Sequence, residues 1–277
     1  MGVVGDDLAE DVVQASGPGS GLTGGRDAAH TPDGADRAHL WGEKNMKIVR
    51  FLLGCTCLSF GLIETGHAAD YAYVVSYIEA APAAKDQAAD MLRRLANLSR
   101  REAGSIRFEV LQRIGYPDQF AVLEVWDNVK AQEAHGGAAH VQLFREKVKP
   151  LLRAPYDERP HIPLSVGTAD AAGAKGGKGA KGAIYAVTHV DVIPKGKDEG
   201  TEAVKQLSTA SRKEPNALRF DSLTQTSRPN HMTLVEMWKD QKAVTAHSAA
   251  DHTKQFRDKL GPLSGALFDE RFYRALD

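Results

Sequence analysis

The stretches SIRFEVLQRIGYPDQFAVLEVW (105–126) and ALRFDSLTQTSRPNHMTLVEMW (217–238) decide the fold. Each contains two segments in which apolar and polar residues alternate, as they do in half-buried β-strands. Between the two segments, YPD (116–118) in the first stretch and RPN (228–230) in the second are typical of a turn. Each stretch therefore predicts a β-hairpin that ends at a tryptophan.

These two stretches belong to a longer internal repeat. When the chain is shifted on itself by 112 residues, Tyr73 aligns with Tyr185 and Arg159 with Arg271 without a gap, and roughly a third of the positions between are identical. A match of this length does not arise by chance. The repeat predicts two copies of one structural unit.

Each copy has the same order of predicted elements around its hairpin. A strand precedes the hairpin, at 71–80 in the first copy and 184–193 in the second, and an amphipathic helix follows that strand. After the tryptophan come a helical region, broken near His140 or His252, and a last short strand. The order β-α-β-β-α-β is that of the ferredoxin-like α+β sandwich, in which helices cover one face of an antiparallel sheet.

The second face of each sheet also needs cover, because both alternating sets of residues in the strands are largely apolar. We expect the two copies to pack sheet against sheet within one chain, which gives a monomer. The segment between them (165–182) is rich in Gly, Ala and Lys and predicts a flexible linker that spans roughly 25 Å. The first domain is then 69–164 and the second 183–277.

Residues 46–68 have the features of a secretory signal peptide. The basic residues Lys47 and Arg50 precede the apolar run FLLGCTCLSFGLI (51–63), and small residues before Ala69 suit a cleavage site. The run is shorter than the ~20 residues that a transmembrane helix needs. We therefore expect a periplasmic or secreted protein with no membrane segment after cleavage.

Two alternatives concern the same region. The sequence LLGC (52–55) resembles a lipobox, but the apolar run continues well past Cys55, which favours an ordinary signal peptide. Residues 1–45 are rich in Gly, Ala and Asp and precede a credible start at Met46. They are interpreted as a disordered or untranslated extension.

Composition excludes several classes of site. Both cysteines of the chain, Cys55 and Cys57, lie inside the predicted signal peptide, so the mature protein would have no disulfide, no thiolate nucleophile and no thiolate metal site. Residues 1–68 hold five Lys/Arg and nine Asp/Glu, which leaves a net charge of about +3 on the remainder. Such a charge does not favour nucleic acid or an anionic membrane as a partner.

Each copy resembles the antibiotic biosynthesis monooxygenase (ABM) family, whose small ferredoxin-like units pair into a dimeric α+β barrel. The resemblance covers nearly all of residues 71–277 and includes the pattern E-x-W followed by H-x-x-x-x-H. In the first copy it rests on Ser99, Glu102, Gly104, Phe108, Pro117, Phe120, Glu124, Val125, Trp126, Ala131, His135, His140 and Phe144. In the second copy it rests on Ser211, Glu214, Phe220, Pro229, Glu236, Met237, Trp238, Ala243, His247, His252 and Phe256. The resemblance implies that the two domains form a pseudo-dimeric α+β barrel.

The resemblance also implies an activity, the oxygenation of a small quinol- or anthrone-like aromatic molecule by O₂ without a metal, flavin or haem. No G-x-G-x-x-G dinucleotide-binding motif follows a predicted strand. The family also includes haem-degrading members, but neither first strand carries the asparagine that those relatives use. The alternative function is a periplasmic small-molecule binding or stress-protection module that uses the same pocket without turnover.

The candidate catalytic residues are His135, His140, His247 and His252, because imidazole titrates near neutral pH. The alternative is that one histidine of each pair docks or caps a helix. A metal site is not expected, since residues five apart on a continuous helix lie ~140° apart around its axis. No cysteine or clustered carboxylate completes a ligand shell in the sequence.

Large aromatic side chains supply most of the candidate substrate-binding residues, which are Trp126, Trp238, Phe144, Phe256, Tyr77 and His189. The two tryptophans end strands that should face the helices, where an indole forms either core or the wall of a pocket for a flat aromatic molecule. Tyr77 and His189 occupy the same first-strand position in the two copies. Their difference could separate an active pocket from a structural one.

Glu124 and Glu236 lie two residues before the tryptophans, on the same strand face. A carboxylate on a covered face needs a partner, and Arg100 or Arg212 is the expected one. We interpret these residues as members of structural ion pairs rather than as catalytic carboxylates.

The signal-peptide hypothesis predicts a mature N-terminus at Ala69 or within one residue of it. N-terminal sequencing of the protein recovered from fractionated cells measures this directly. A cytoplasmic product that begins at Met1 would contradict the hypothesis.

Overall fold

A computed structural model describes residues 71–167 and 180–276 of the chain. The predicted extension and signal peptide (1–68) and most of the predicted linker lie outside these ranges. Within them, no helix is both long enough and apolar enough to cross a membrane.

The first half of the described chain has the predicted order of strands and helices. Its elements are β1 (Ala72–Glu79), α1 (Lys85–Ser99), β2 (Ser105–Arg113), β3 (Tyr116–Trp126), α2 (Val129–Gly137), α3 (Ala139–Val148) and β4 (Asp157–Ser165). A single 3-10 turn that begins at Pro82 leads into α1. Proline suits this position because it fixes φ and has no backbone N–H donor. Leu92 and Leu95 of α1 are buried against the sheet.

The second half repeats this order. Its elements are β5 (Ile184–Asp191), α4 (Lys197–Ser211), β6 (Ala217–Gln225), β7 (His231–Trp238), α5 (Gln241–Ala249), α6 (Asp251–Leu260) and β8 (Asp269–Ala275). The helical region after each tryptophan is split in two, as predicted. Asn128 and Asp240 cap α2 and α5 by accepting from the backbone N–H groups of Ala131 and Ala243.

The two hairpin turns differ from each other. In the second half the chain reverses between Gln225 and His231, as the RPN segment predicts. In the first half the prediction was wrong by two residues: β3 already begins at Tyr116, and the reversal occurs before it, at Gly115. Gly115 has φ +81°, which suits glycine in a tight turn, and Pro117 is tolerated because it lies at the start of a strand.

All eight strands of the described chain form one closed antiparallel barrel in the order β1-β3-β2-β8-β5-β7-β6-β4. The last strand of each half pairs with the first strand of its own half and, on its other side, with a strand of the other half. His161 of β4 lies opposite Gln225 of β6, and Ala275 of β8 lies opposite Leu111 of β2. Closure gives the edge strands partners. The predicted sheet-to-sheet pairing as a pseudo-dimeric α+β barrel is confirmed.

Strand alternation sorts the side chains into three buried layers. One set, which includes Phe108, Val122 and Trp126, packs under the helices of the first half, and the corresponding set packs under those of the second half. The opposite set, which includes Leu123 and Val125, fills the barrel interior between the sheets. Each such apolar side chain contributes roughly 1.5–3 kcal/mol when it is fully buried.

The barrel interior also holds an ionic network that joins the two halves. Glu109 of β2 is fully buried and accepts hydrogen bonds from Nη1 of Arg219 at 2.8 Å and from the Tyr185 hydroxyl at 3.0 Å. Nε of Arg219 also donates to Asp221 at 2.6 Å. A buried charge is tolerated only when it is paired, so Glu109 and Arg219 constrain how the halves meet.

A second polar group in the barrel interior consists of three histidines. Nε2 of His231 lies 3.2 Å from Nδ1 of His189, and Nε2 of His161 lies 2.9 Å from Oγ1 of Thr233. Burial lowers the pKa of His189 to about 3 and that of His161 to about 4. Arg159 also lowers the pKa of His189. These imidazoles are therefore neutral in the folded protein at neutral pH.

Because the strands pair within one chain, light scattering at low micromolar concentration should give the mass of a single chain. The intramolecular partner is present at roughly millimolar effective concentration, which favours it over exchange between chains. A stable mass twice that of the chain would contradict intramolecular pairing. Separation of the halves after proteolysis between 168 and 179 would show that the pairing is weak.

The buried histidines predict acid destabilisation. Their pKa values in the fold lie below the value of about 6.5 in the unfolded chain, so the unfolded chain binds more protons and stability falls as pH drops below about 6.5. His189→Tyr removes one such group and installs the residue found at Tyr77. In urea unfolding between pH 7 and 4, the free energy of unfolding of this variant should fall less steeply with decreasing pH than that of the wild type, by about 1.4 kcal/mol per pH unit. An unchanged pH dependence of the unfolding free energy would contradict this assignment. The pH dependence is compared, rather than the stability at one pH, because tyrosine is larger than histidine and alters stability at every pH.

Candidate active site

The candidate site of each half lies between the sheet and the helices, where the helical region breaks. In the first half, α2 ends at Gly137 and α3 begins at Ala139. Between them, Ala138 has an extended backbone (φ −65°, ψ 141°). The break turns the two histidines toward each other, so that the ring centroids of His135 and His140 are 6.0 Å apart. The geometric argument against a metal site, which assumed a continuous helix, was therefore wrong.

Glu102 lies next to both histidines, and sequence analysis gave it no role. Its Oε1 is 2.8 Å from Nδ1 of His135 and 3.0 Å from Nε2 of His140. A tight turn after α1 places it there. In this turn Gly104 has φ +81°, and a Cβ atom at Gly104 would lie only 2.5 Å from the Cβ of Ala131. The turn can therefore approach α2 closely only with glycine or a backbone shift.

Glu124 lies on the other side of His135. Its Oε2 accepts a hydrogen bond from Nε1 of Trp126 at 2.9 Å and is 3.6 Å from Nε2 of His135. The indole of Trp126 stacks on the His135 ring with 4.5 Å between centroids. The expected arginine partner takes a different position, since Nε of Arg100 donates to the backbone oxygen of Phe108. Glu124 thus belongs to the histidine cluster.

Burial controls the protonation of this cluster. Desolvation raises the pKa of Glu124 to about 8, although the hydrogen bond from Trp126 opposes the shift. Desolvation lowers the pKa of His135, while the hydrogen bond to Glu102 acts in the opposite direction. At neutral pH the pair therefore consists mainly of a protonated carboxyl group beside a neutral imidazole.

The second half repeats the cluster. Oε1 of Glu214 is 2.6 Å from Nδ1 of His247 and 2.9 Å from Nε2 of His252. Glu236 accepts from Nε1 of Trp238 at 2.8 Å, and burial raises the pKa of this carboxyl group to about 8. Both clusters offer three atoms of types that bind metal ions, one from a carboxylate and two from imidazoles.

The first half also has an open groove of about 440 Å³. It is lined by Val148, Leu152, Pro155, Tyr156 and the stems of Arg145, Lys149 and Arg153. Burial and then the charge of Glu124 raise the pKa of the Tyr156 phenol, so this phenol lies near the Glu124 carboxyl group. The ring of Phe144 lies 6.3 Å from that of Tyr156.

The corresponding positions of the second half have different residues. Tyr156 corresponds to Phe268, which is 41% exposed, and Leu152 and Arg153 correspond to Ser264 and Gly265. The groove described in the first half thus depends on side chains that the second half lacks.

The structure brings together some of the predicted site residues and separates others. Trp126, His135, His140 and Phe144 lie on the helix side of the first sheet, and their counterparts Trp238, His247, His252 and Phe256 lie on that side of the second. Tyr77 and His189 are instead inside the barrel, 5.3 Å apart. Sequence reasoning missed the roles of Glu102 and Tyr156. Glu102 and its counterpart Glu214 are among the family-like residues, and their repetition was the signal that could have pointed to a role.

Comparisons with known proteins agree with this architecture. The sequence model of the family described as "Antibiotic biosynthesis monooxygenase" matches residues 72–147 and 183–259. The Bacillus subtilis (strain 168) protein "Putative monooxygenase YcnE" is 32% identical over 82 residues, which are 30% of this chain and 86% of that protein.

Two solved structures share the fold over a part of this chain that is longer than either half. A crystal structure of a "Putative monooxygenase" from Fusobacterium nucleatum has a TM-score of 0.65 at 14% identity and covers 76% of this chain and 94% of its own. A crystal structure of an "anthrone oxidase-like protein" has a TM-score of 0.57 at 13% identity and covers 75% of this chain and 92% of its own. Because the family match occurs twice and spans more than half of the sequence, this chain belongs to the antibiotic biosynthesis monooxygenase family, with two of its domains in tandem.

Proposed function

We propose that the protein is a monooxygenase that oxidises a small quinol- or anthrone-like aromatic molecule with O₂, and that the reaction takes place in the first half. The observation that carries the proposal is the line of groups Glu124, His135 and Glu102, with Tyr156 of the groove within electrostatic reach of Glu124. Family membership supports the reaction class. The "anthrone oxidase-like" neighbour supports the kind of substrate.

The groove fits a flat aromatic molecule. Val148, Leu152 and Pro155 provide apolar walls, and the phenol of Tyr156 provides a polar group that can donate to a substrate oxygen. Its volume of about 440 Å³ is within the usual range for small-molecule pockets.

The cluster supplies a path for the substrate proton. The Glu124 and His135 pair takes up a proton from the substrate hydroxyl or ring CH₂, and His135 passes it toward Glu102 and His140. Glu102 stabilises the protonated imidazole and fixes its orientation, as the carboxylate does in other carboxylate–histidine pairs. Glu102 and His140 are about one-fifth exposed, so the proton can reach solvent from there.

The deprotonated substrate then supplies the electrons. Its anion transfers one electron to O₂, the carbon radical and superoxide combine to a peroxide, and loss of water leaves a carbonyl group. For a ring CH₂ group, CH₂ and O₂ give C=O and H₂O, a four-electron oxidation of carbon balanced by four-electron reduction of O₂. In this scheme the protein binds and orients the substrate and moves a proton.

An oxygen electrode with a panel of quinols and anthrones tests the proposal. His135→Gln should lower the rate by about 10²–10⁴-fold, the usual contribution of a general base. Tyr156→Phe, which makes the first half resemble the second, should also lower the rate or raise KM. His231→Gln, which installs the residue found at Gln119, and Phe268→Tyr are matched controls outside the site and should keep the wild-type rate.

Two outcomes would contradict the proposal. The first is oxygen uptake that is unchanged in His135→Gln. The second is a flat trace across the whole panel while calorimetry still detects binding, which would favour a binding module without turnover. Circular dichroism of each variant shows whether a lost rate reflects the chemistry or a lost fold.

A further inference from the structure

We propose that each of the two glutamate–histidine clusters, Glu102/His135/His140 and Glu214/His247/His252, binds one divalent transition-metal ion. The site goes beyond the proposed function and does not depend on it. The ligands are one carboxylate oxygen and two imidazole nitrogens per ion, a donor set that suits Zn²⁺, Co²⁺, Ni²⁺ or Fe²⁺ better than Ca²⁺ or Mg²⁺.

The donor atoms of each cluster lie close enough together to approach one metal ion. In each cluster the three atoms lie within 4.8 Å of one another. The carboxylate oxygen is 2.8 and 3.0 Å from the two nitrogens in the first half, and 2.6 and 2.9 Å in the second. An ion about 2.0–2.2 Å from each ligand would hold these atoms roughly 3 Å apart.

In the first half the orientation of His140 favours convergence on an ion over a hydrogen bond, whereas in the second half Nε2 of His252 is hydrogen-bonded to Oε1 of Glu214. Its Nε2 atom is buried and 3.0 Å from Oε1 of Glu102, yet the two atoms are not aligned as hydrogen-bond donor and acceptor. Among the residues that the structure describes, this nitrogen has no other hydrogen-bond partner. A nitrogen whose lone pair points beside the carboxylate oxygen can share an ion with that oxygen.

The surroundings of His135 resemble the outer shell of known metal sites. The ring presents Nδ1 to Glu102, while its other nitrogen, Nε2, is 3.6 Å from the Glu124 carboxyl group. Trp126 in turn fixes Glu124 by donating to its Oε2. A carboxyl group behind a metal-binding histidine fixes the ring orientation, and its removal usually weakens binding by about 10–100-fold.

The clusters are open enough for an ion to enter. The side chains of Glu102 and His140 are 21% and 23% exposed, and those of Glu214 and His252 are 16% and 27% exposed. His135 and His247 are buried and supply the rigid side of each site. Three protein ligands leave at least one coordination position for water.

A bound ion would act on the proposed oxygenation as an inhibitor. The ion would take the imidazole lone pairs and the carboxylate oxygen that receive the substrate proton. This consequence, unlike the site itself, rests on the proposed function.

Cobalt titration tests the site without any assay of turnover. The full chain, purified without a polyhistidine tag and treated with a chelator, is titrated with Co²⁺ while its visible d–d absorption is recorded. We expect saturation at two ions per chain. His140→Gln and His252→Gln should each lower this stoichiometry to one, and the double variant should lower it to zero.

Two further variants sharpen the assignment. Glu124→Gln should weaken cobalt binding in the first half by about 10–100-fold and leave the second half unchanged. His231→Gln is the matched control, because it removes a buried histidine from the barrel interior, and it should retain two ions. Circular dichroism must show that each variant is folded.

The proposal is overturned if Co²⁺ produces no saturable absorption, or if the absorption persists in the double variant. The oxygen electrode gives an independent result. If the protein binds cobalt but its metal-free form takes up no oxygen with any substrate of the panel, the site is supported and the proposed oxygenase is contradicted. If the metal-free form takes up oxygen but the protein binds no cobalt, the oxygenase is supported and the site is contradicted.

Discussion

Each four-stranded sheet of this protein has two apolar faces, but the helices of its own half can cover only one. The second face, with side chains such as Leu123 and Val187, would be exposed to water if a half stood alone. The other half covers it, and the last strand of each half, which pairs with strands of both halves, closes the barrel at the same time. Most other features follow from this requirement.

The position of the site is one of those features. Along β3, residues alternate between the barrel interior and the helices, so Val125 faces the other half while Glu124 and Trp126 face their own helices. The barrel fixes this strand from one side. The broken helix α2–α3 then brings His135 against it from the other, and polar groups that would cost free energy alone become partners of one another.

The sequence was sufficient for the elements and for their order, because alternation, helical periodicity and an ungapped repeat are local or self-comparing signals. It did not reveal the Glu109–Arg219 pair, since these residues are far apart in the chain and meet only when the halves pack. It also did not show that Glu102 contacts His135 and His140, because this depends on the turn at Gly104 and on the direction of the helix break. Single-residue geometry of this kind cannot be obtained from periodicity.

The three histidines of the barrel interior have a consequence for how such a molecule can evolve. In a dimer of identical subunits, any residue near the twofold axis appears twice, so a favourable change on one side brings its copy on the other. Fusion of the two genes removes that restriction. Here His161, His189 and His231 lie on one side of the pseudo-twofold axis, while Tyr273, Tyr77 and Gln119 occupy the equivalent positions on the other side, and the rings of Tyr77 and His189 meet at 5.3 Å. A single chain can therefore carry different side chains at the two equivalent sets of positions, which a dimer of identical subunits cannot do.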